Sequence, residues 1–271
     1  MKTTAILCCI LLLGFTVMEV TPHFDVSYND AWPYFTVSKL GKSLENSYTC
    51  VNKYLGTCPD KIKVEVVREN EMDKIGEHVE AFSAWNDHTS AIVLRENTLK
   101  DKDQLEVVIK HEICHLGLNN ILCQKGSGDT LDSDFAWMEE GICMVISEDP
   151  LDDLKVSRYI VKNGFMTTDE IASAIESDDY TTTKNGYLQS FSLCKYMAAK
   201  YGVDMLVCII KSPADDFDSA FKMCTGDDFD VVYKEWQSTV YRSAASQPET
   251  VVISRGYLSE LLEDECEACT G

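Results

Sequence analysis

His111, Glu112 and His115 are the residues of this chain whose types and spacing are best suited to chemistry. The run before them, residues 105–110, suits one continuous helix, and two histidines four residues apart then lie on one helical face. Their imidazoles can bind a single zinc ion. Glu112 lies about 100° around the helix, where a carboxylate can reach a water molecule held at the metal. The pattern predicts the metal ligands and the general base of a zinc hydrolase.

Catalytic zinc usually takes three protein ligands, so a third ligand is required. The other histidines, His23, His78 and His88, all precede the motif. A metzincin would need glycine at position 118 and histidine at position 121, and the chain has Leu118 and Ile121 there. That class is excluded, and a carboxylate on a following helix remains.

The acidic pair Glu139-Glu140, in the stretch Trp137–Met144, supplies such a carboxylate. A histidine motif followed by Trp-x-x-Glu-Gly resembles the gluzincin metallopeptidases. It is closest to the thermolysin-like domain shared by aminopeptidase-N-type enzymes and small peptidase MA-like proteins. The resemblance implies that Glu140, directly before Gly141, is the third zinc ligand. Glu139 is kept as a second candidate, since it is only one residue away.

The resemblance covers roughly residues 35–242 and implies an α+β fold with two parts. A small β-sheet lobe carries the zinc helix, and an all-helical lobe follows. The stretch Tyr187-Leu-Gln-Ser190 resembles a family motif in which the tyrosine donates a hydrogen bond to the oxyanion of the tetrahedral intermediate. Tyr187 is the matching residue, with a half-buried packing role as the alternative. The amine-binding G-x-M-E-N strand of the aminopeptidases has no match between Glu71 and Leu94, which favours an endopeptidase.

Residues 1–20 are typical of a signal peptide, because Lys2 precedes an apolar run over residues 5–17. The run is too short to span a bilayer comfortably, although an uncleaved anchor is the alternative. No later apolar stretch approaches 18 residues. We therefore expect a secreted protein without stable membrane insertion.

The cysteines favour the same location, because ten of the twelve follow the signal segment and an even number suits five disulfides. Short loops suggest the pairs Cys50–Cys58 and Cys208–Cys224. The C-x-x-C at residues 266–269 suggests a structural disulfide rather than a redox centre. In the resembling family, positions 114 and 143 are commonly alanine where two helices pack closely, so we expect a Cys114–Cys143 disulfide. A thiolate on the zinc is the alternative.

The formal net charge is −21, with acidic pairs along the chain. Such a surface repels nucleic acid, so a nucleic-acid partner is not expected. The charge either keeps the protein soluble or steers basic substrates.

Valine- and isoleucine-rich runs predict strands at residues 61–67 and 91–95. Helices are expected at 36–54, 101–117 and 137–147, the second of them ending at Gly117. Later helices are expected at the ranges 168–177, 186–200, 203–211, 217–224 and 229–241. Residues 21–34 and 124–134 are expected to be irregular, and residues 69–83 to form a helix or loop. The predicted organisation is a signal peptide (1–20), an N-terminal α/β lobe (21–134), a helical lobe (135–245) and a C-terminal extension (246–271).

The sequence therefore predicts a secreted zinc metallopeptidase with one zinc per chain, bound by His111, His115 and Glu140. Glu112 would activate the zinc-bound water that attacks a peptide or protein substrate. Two alternatives stay open. One is an inactive zinc-binding scaffold that recognises a protein partner, and the other is a structural zinc site with a fourth ligand from cysteine.

Overall fold

The computed structural model describes residues 16–29, 34–76, 79–86, 89–125 and 133–246. The chain divides after Asn120 into two compact units. Residues 1–15 of the expected signal peptide, part of the expected loop at 124–134, and the C-x-x-C extension lie outside the described residues. None of the described helices is long and apolar enough to cross a membrane.

The first unit is built on a mixed five-stranded sheet with the order β1-β2-β3-β5-β4. Strands β2, β3 and β5 are parallel to one another, while β1 and β4 run antiparallel at the two edges. The strands are β1 (Thr16–Val20), β2 (Phe24–Asn29), β3 (Ile62–Val67), β4 (Ala81–Asn86) and β5 (Thr89–Arg95).

The core of this sheet follows from alternation along its strands. Phe24 is paired with Ile62 and Val26 with Val64, and all four side chains are fully buried. Alternate residues of a strand point to one face of the sheet, so these apolar side chains form one continuous layer.

Three helices accompany the sheet: α1 (Tyr34–Leu55), α2 (Glu69–Met72) and α3 (Lys102–Lys125). The short helix α2 is held by Arg95 at the end of β5. The Arg95 guanidinium is buried and contacts the carboxylates of Glu69 and Asp73 at 2.9 and 2.7 Å. A turn of 3₁₀ helix, Glu96–Lys100, then leads from β5 into α3.

The second unit is helical throughout its described residues. Helix α4 packs on α7, α6 packs on α7, and α10 packs on α5. A disulfide joins Cys208 to Cys224 across α8 and α9. The helices are α4 (Ser133–Ser147), α5 (Asp153–Asn163), α6 (Thr168–Ile175), α7 (Tyr180–Tyr201), α8 (Val203–Lys211), α9 (Phe217–Thr225) and α10 (Phe229–Ala245).

The α+β class, the two central strands and most helices confirm the predictions from sequence. The prediction was wrong for residues 21–34, which contain β2. The helix or loop expected over residues 69–83 is confirmed among the described residues as far as residue 80, and only its last three residues belong to β4. The predictions also missed β1 and α5. Helix α5 begins where the Asp152 carboxylate accepts hydrogen bonds from the amides of Leu154 and Lys155, an N-cap signal that the sequence carries.

Two predicted helix boundaries at glycine were also wrong. Gly117 lies inside α3, where an added Cβ would come within 2.5 Å of the Leu55 side chain. Gly186 lies inside α7, where an added Cβ would come within 2.9 Å of the Ile175 amide nitrogen. Both glycines permit close packing inside a helix, rather than ending one.

Candidate metal centre

Helix α3 carries the histidine motif in its most buried part. Every residue from 111 to 118 is buried, so this part of the helix is covered on all sides. His111 and His115 are 3% and 9% exposed. Their Nε2 atoms lie 3.1 Å apart. Two nitrogens that bind one tetrahedral zinc at 2.0–2.1 Å lie about 3.3 Å apart, so the two imidazoles have the spacing of a shared zinc ion.

Glu112 lies on the same buried turn and is 3% exposed. An ionised carboxylate is costly to bury unless something nearby stabilises its charge. A cation bound at the two histidines, one residue away in the helix, would supply that stabilisation.

Glu140 lies on α4, directly before a glycine that is required by packing. A Cβ at Gly141 would come within 2.5 Å of the Ser190 carbonyl oxygen and 2.6 Å of the Cys194 Sγ on α7. Only a residue without a side chain allows α7 to lie this close. Glu140, a possible metal ligand, is therefore the direct neighbour of the residue at which α4 packs closely against α7.

Hydrogen bonds join helix α7 to this part of α4. The Tyr187 hydroxyl donates to Glu140 Oε1 at 3.1 Å. One turn further along α7, the Ser190 hydroxyl donates to the Trp137 carbonyl oxygen at 2.5 Å. Tyr187 was expected from the sequence to act at the site, whereas Ser190, which belongs to the same motif, was not. A small residue one turn after the tyrosine was the available signal.

His111, His115 and Glu140 each offer a ligand atom, and these atoms all lie within 4.8 Å of one another. Glu139, the second candidate, is not part of this group. Neither Cys114 nor Cys143 is part of it, so a thiolate ligand is not supported. Two imidazoles and one carboxylate form a donor set that suits zinc and leaves a coordination position open for a reactant. This group could therefore hold a catalytic metal ion.

The cysteines were predicted with mixed success. The Cys208–Cys224 disulfide is confirmed. The predicted pairs Cys50–Cys58 and Cys114–Cys143 were wrong, since the structure forms neither disulfide. The Cys58 sulfur lies at Gly117 on α3, on the helix face that also carries Cys114.

A family model described as the Peptidase MA superfamily matches residues 80–242. The match covers more than half of the chain and contains the histidine motif, Glu140 and Tyr187. No curated protein matches the sequence significantly.

Proposed function

The chain belongs to the Peptidase MA superfamily, and from that premise we propose that it is a secreted, zinc-dependent endopeptidase. The observation that carries the proposal is the group formed by His111, His115 and Glu140. Three ligands of this kind, with a buried glutamate beside the first histidine, match the requirements of a hydrolytic zinc site.

Zinc, when bound, acts as a Lewis acid that polarises the scissile carbonyl and lowers the pKa of water. His111 and His115 would bind it through their Nε2 atoms, and Glu140 through a carboxylate oxygen. The histidines are held in place because their helix is buried on all sides. Glu140 is held in place because Gly141 fits closely against α7.

The Glu112 carboxylate would act as the general base. It accepts a proton from the attacking water and then delivers that proton to the leaving amine nitrogen. Its burial excludes bulk water, which strengthens its electrostatic interaction with the attacking water and the leaving group. A glutamine at this position keeps the shape and a hydrogen-bonding oxygen but cannot accept the proton.

Tyr187 would orient Glu140. The hydrogen bond at 3.1 Å fixes one carboxylate oxygen and leaves the other to bind the metal. Outer hydrogen bonds of this kind typically change metal affinity by about 10–100-fold. The oxyanion role expected from sequence remains a second proposal for the same hydroxyl.

The proposed substrate is an extended peptide. Strand β4 is an edge strand, because no other described strand pairs with its outer side. An exposed strand edge can pair with an extended chain through main-chain hydrogen bonds, with little dependence on sequence. The missing amine-binding motif supports cleavage within a chain rather than at its N-terminus. The apolar N-terminal segment supports secretion.

The test compares three proteins: the wild type, Glu112→Gln, and Glu106→Gln as a matched control on the same helix. Glu106 faces partly to solvent and pairs with Lys102 at 3.4 Å. We expect one zinc per molecule in all three proteins. Cleavage of a diverse peptide library should be lost only in Glu112→Gln. Full activity in Glu112→Gln would contradict the proposed mechanism, and zinc binding without cleavage by the wild type would favour a binding scaffold.

A further inference from the structure

We propose that Cys58 and Cys114 form a disulfide when the protein meets an oxidising environment, joining the zinc helix α3 to the segment that follows α1. Both residues are buried free thiols in the structure. The proposal is independent of peptidase activity, because it concerns packing inside the first unit only.

The segment of residues 55–59 lies along one face of α3. The Asn120 side-chain amide donates to the Thr57 hydroxyl at 2.6 Å. A Cβ at Gly117 would lie 3.2 Å from the Thr57 carbonyl oxygen and 3.3 Å from the Cys58 Sγ. The segment thus advances along the helix from Asn120 towards its N-terminal end.

Cys114 occupies the next position on the same face. Residues at i and i+3 are neighbours on a helix surface, with Cβ atoms about 5–6 Å apart. Asn120, Gly117 and Cys114 follow that spacing. The Cys58 sulfur and the Cys114 side chain therefore approach the same turn of α3, and a disulfide requires their Cβ atoms to come within about 3.5–4.5 Å.

Two further observations support the closeness of these thiols. The pKa of Cys58 is raised to about 12 by burial and, secondly, by the negative charge that Cys114 would carry as a thiolate. The segment itself is fixed at both ends. The Gly56 amide donates to the Asn52 carbonyl oxygen at 2.8 Å, and the Tyr48 hydroxyl donates to the Pro59 carbonyl oxygen at 3.2 Å.

The oxidant is a low-molecular-weight disulfide. Thiol–disulfide exchange breaks two S–H bonds and forms one S–S bond. The two electrons and two protons pass to the oxidant, which leaves as two thiols. Because Cys114 lies between the two histidines in sequence, the bond would fix the turn of α3 that carries them.

The decisive experiment maps the cysteines of the full chain after expression into an oxidising compartment. Free thiols are alkylated in denaturant without reduction, so that buried thiols also react, and the protein is then digested with trypsin. Cys58 lies in the peptide 54–61 and Cys50 in the peptide 43–53, whereas Cys114 shares the peptide 111–125 with Cys123. The exposed Cys123 is therefore changed to serine in a parallel sample.

We expect a disulfide-linked species of peptides 54–61 and 111–125 in both samples. Alkylated Cys58 and Cys114 would overturn the proposal. So would a peptide 54–61 linked to Cys50, or a Cys114 linked to Cys143.

Thermal unfolding with and without a reducing agent gives a second readout. Closing a loop of this length stabilises a protein enough to raise its melting temperature by roughly 10 °C. The reductant should lower the melting temperature of Cys208→Ala/Cys224→Ala by about that amount, because the proposed bond is still present. An unchanged melting temperature in that variant would contradict the proposal.

Discussion

The Tyr187 hydroxyl donates its hydrogen bond to Glu140 Oε1, at 3.1 Å. A phenol has one proton to donate. Tyr187 can therefore hold the Glu140 carboxylate or stabilise an oxyanion at a given moment, but it cannot do both. The structure contains the first arrangement, so the proposed role of Tyr187 in metal binding can be measured.

We expect Tyr187→Phe to weaken zinc binding by about tenfold, because an oxygen of Glu140 loses the hydrogen bond that orients it. The zinc dissociation constant is measured by competition with a chelator. Activity is measured separately at saturating zinc, where a loss of about a hundredfold in kcat would instead indicate the oxyanion role.

Tyr196→Phe is the matched control for this change. Tyr196 lies on the same helix and donates to the surface carboxylate of Glu235 at 3.2 Å. Removing this hydrogen bond should leave the zinc affinity unchanged. Equal effects of the two substitutions would show that the zinc affinity reports only on the stability of α7.

Removal of zinc should lower thermal stability as well as abolish activity. A ligand present at a hundred times its dissociation constant contributes about 2.7 kcal/mol, which corresponds to a fall on the order of 5–10 °C in the melting temperature. Calorimetry with and without a chelator measures this shift. In Glu140→Ala the shift should be much smaller, and a full-sized shift in that variant would exclude Glu140 as a ligand.

We expect Gly141→Ala to destabilise the protein by about 1–3 kcal/mol, because the new methyl group would meet the Ser190 carbonyl oxygen and the Cys194 sulfur. The sign of the change in the free energy of unfolding is informative. At an open helical position the same substitution stabilises by roughly 0.5–1 kcal/mol. Chemical denaturation gives the free energy of unfolding, and a stabilised variant would contradict the close packing of α4 against α7 at Gly141.

Glu65 on β3 should make stability depend on pH. Burial, and secondly the nearby Glu71, raise the pKa of Glu65 to about 7 from the ordinary value of 4.5. The folded state therefore holds a proton more tightly than the unfolded state. The stabilisation that Glu65 contributes by binding this proton is fully present below pH 4.5 and is lost as the pH rises through 7.

Glu65→Gln tests this dependence, because it keeps the neutral form at every pH. Relative to the wild type it should raise the free energy of unfolding by about 1–2 kcal/mol at pH 8, after allowance for solvent screening of a half-buried group. At pH 4 the two proteins should agree. A difference that is the same at both pH values would show that the effect comes from packing, not from charge.

The three residues of the candidate metal centre could be located from sequence because their signals are local. His111 and His115 are one helical turn apart, and Glu140 directly precedes the glycine of the Trp-x-x-Glu-Gly stretch. Strand β2 also carried a local signal, since Phe24, Val26 and Tyr28 alternate and are all buried. It was missed because the run is short and lies beside the expected signal peptide.

Other features depend on contacts that are distant in sequence. Gly117 and Gly186 suggest helix ends by composition, yet both lie within helices because neighbouring segments approach them closely. The partner of a cysteine is also a tertiary property. Loop length led correctly to Cys208–Cys224 but wrongly to Cys50–Cys58, since the direction of a side chain is not encoded in its spacing.

The close contact at Gly141 also has an evolutionary consequence. Positions 141, 190 and 194 share one small volume, in which the first side chain is absent and the other two are small. A larger residue at any of them can be accepted only if another becomes smaller or the helices separate. Descendants of this sequence that keep Glu140 should therefore change these three positions together, and their pattern of substitution should record the contact.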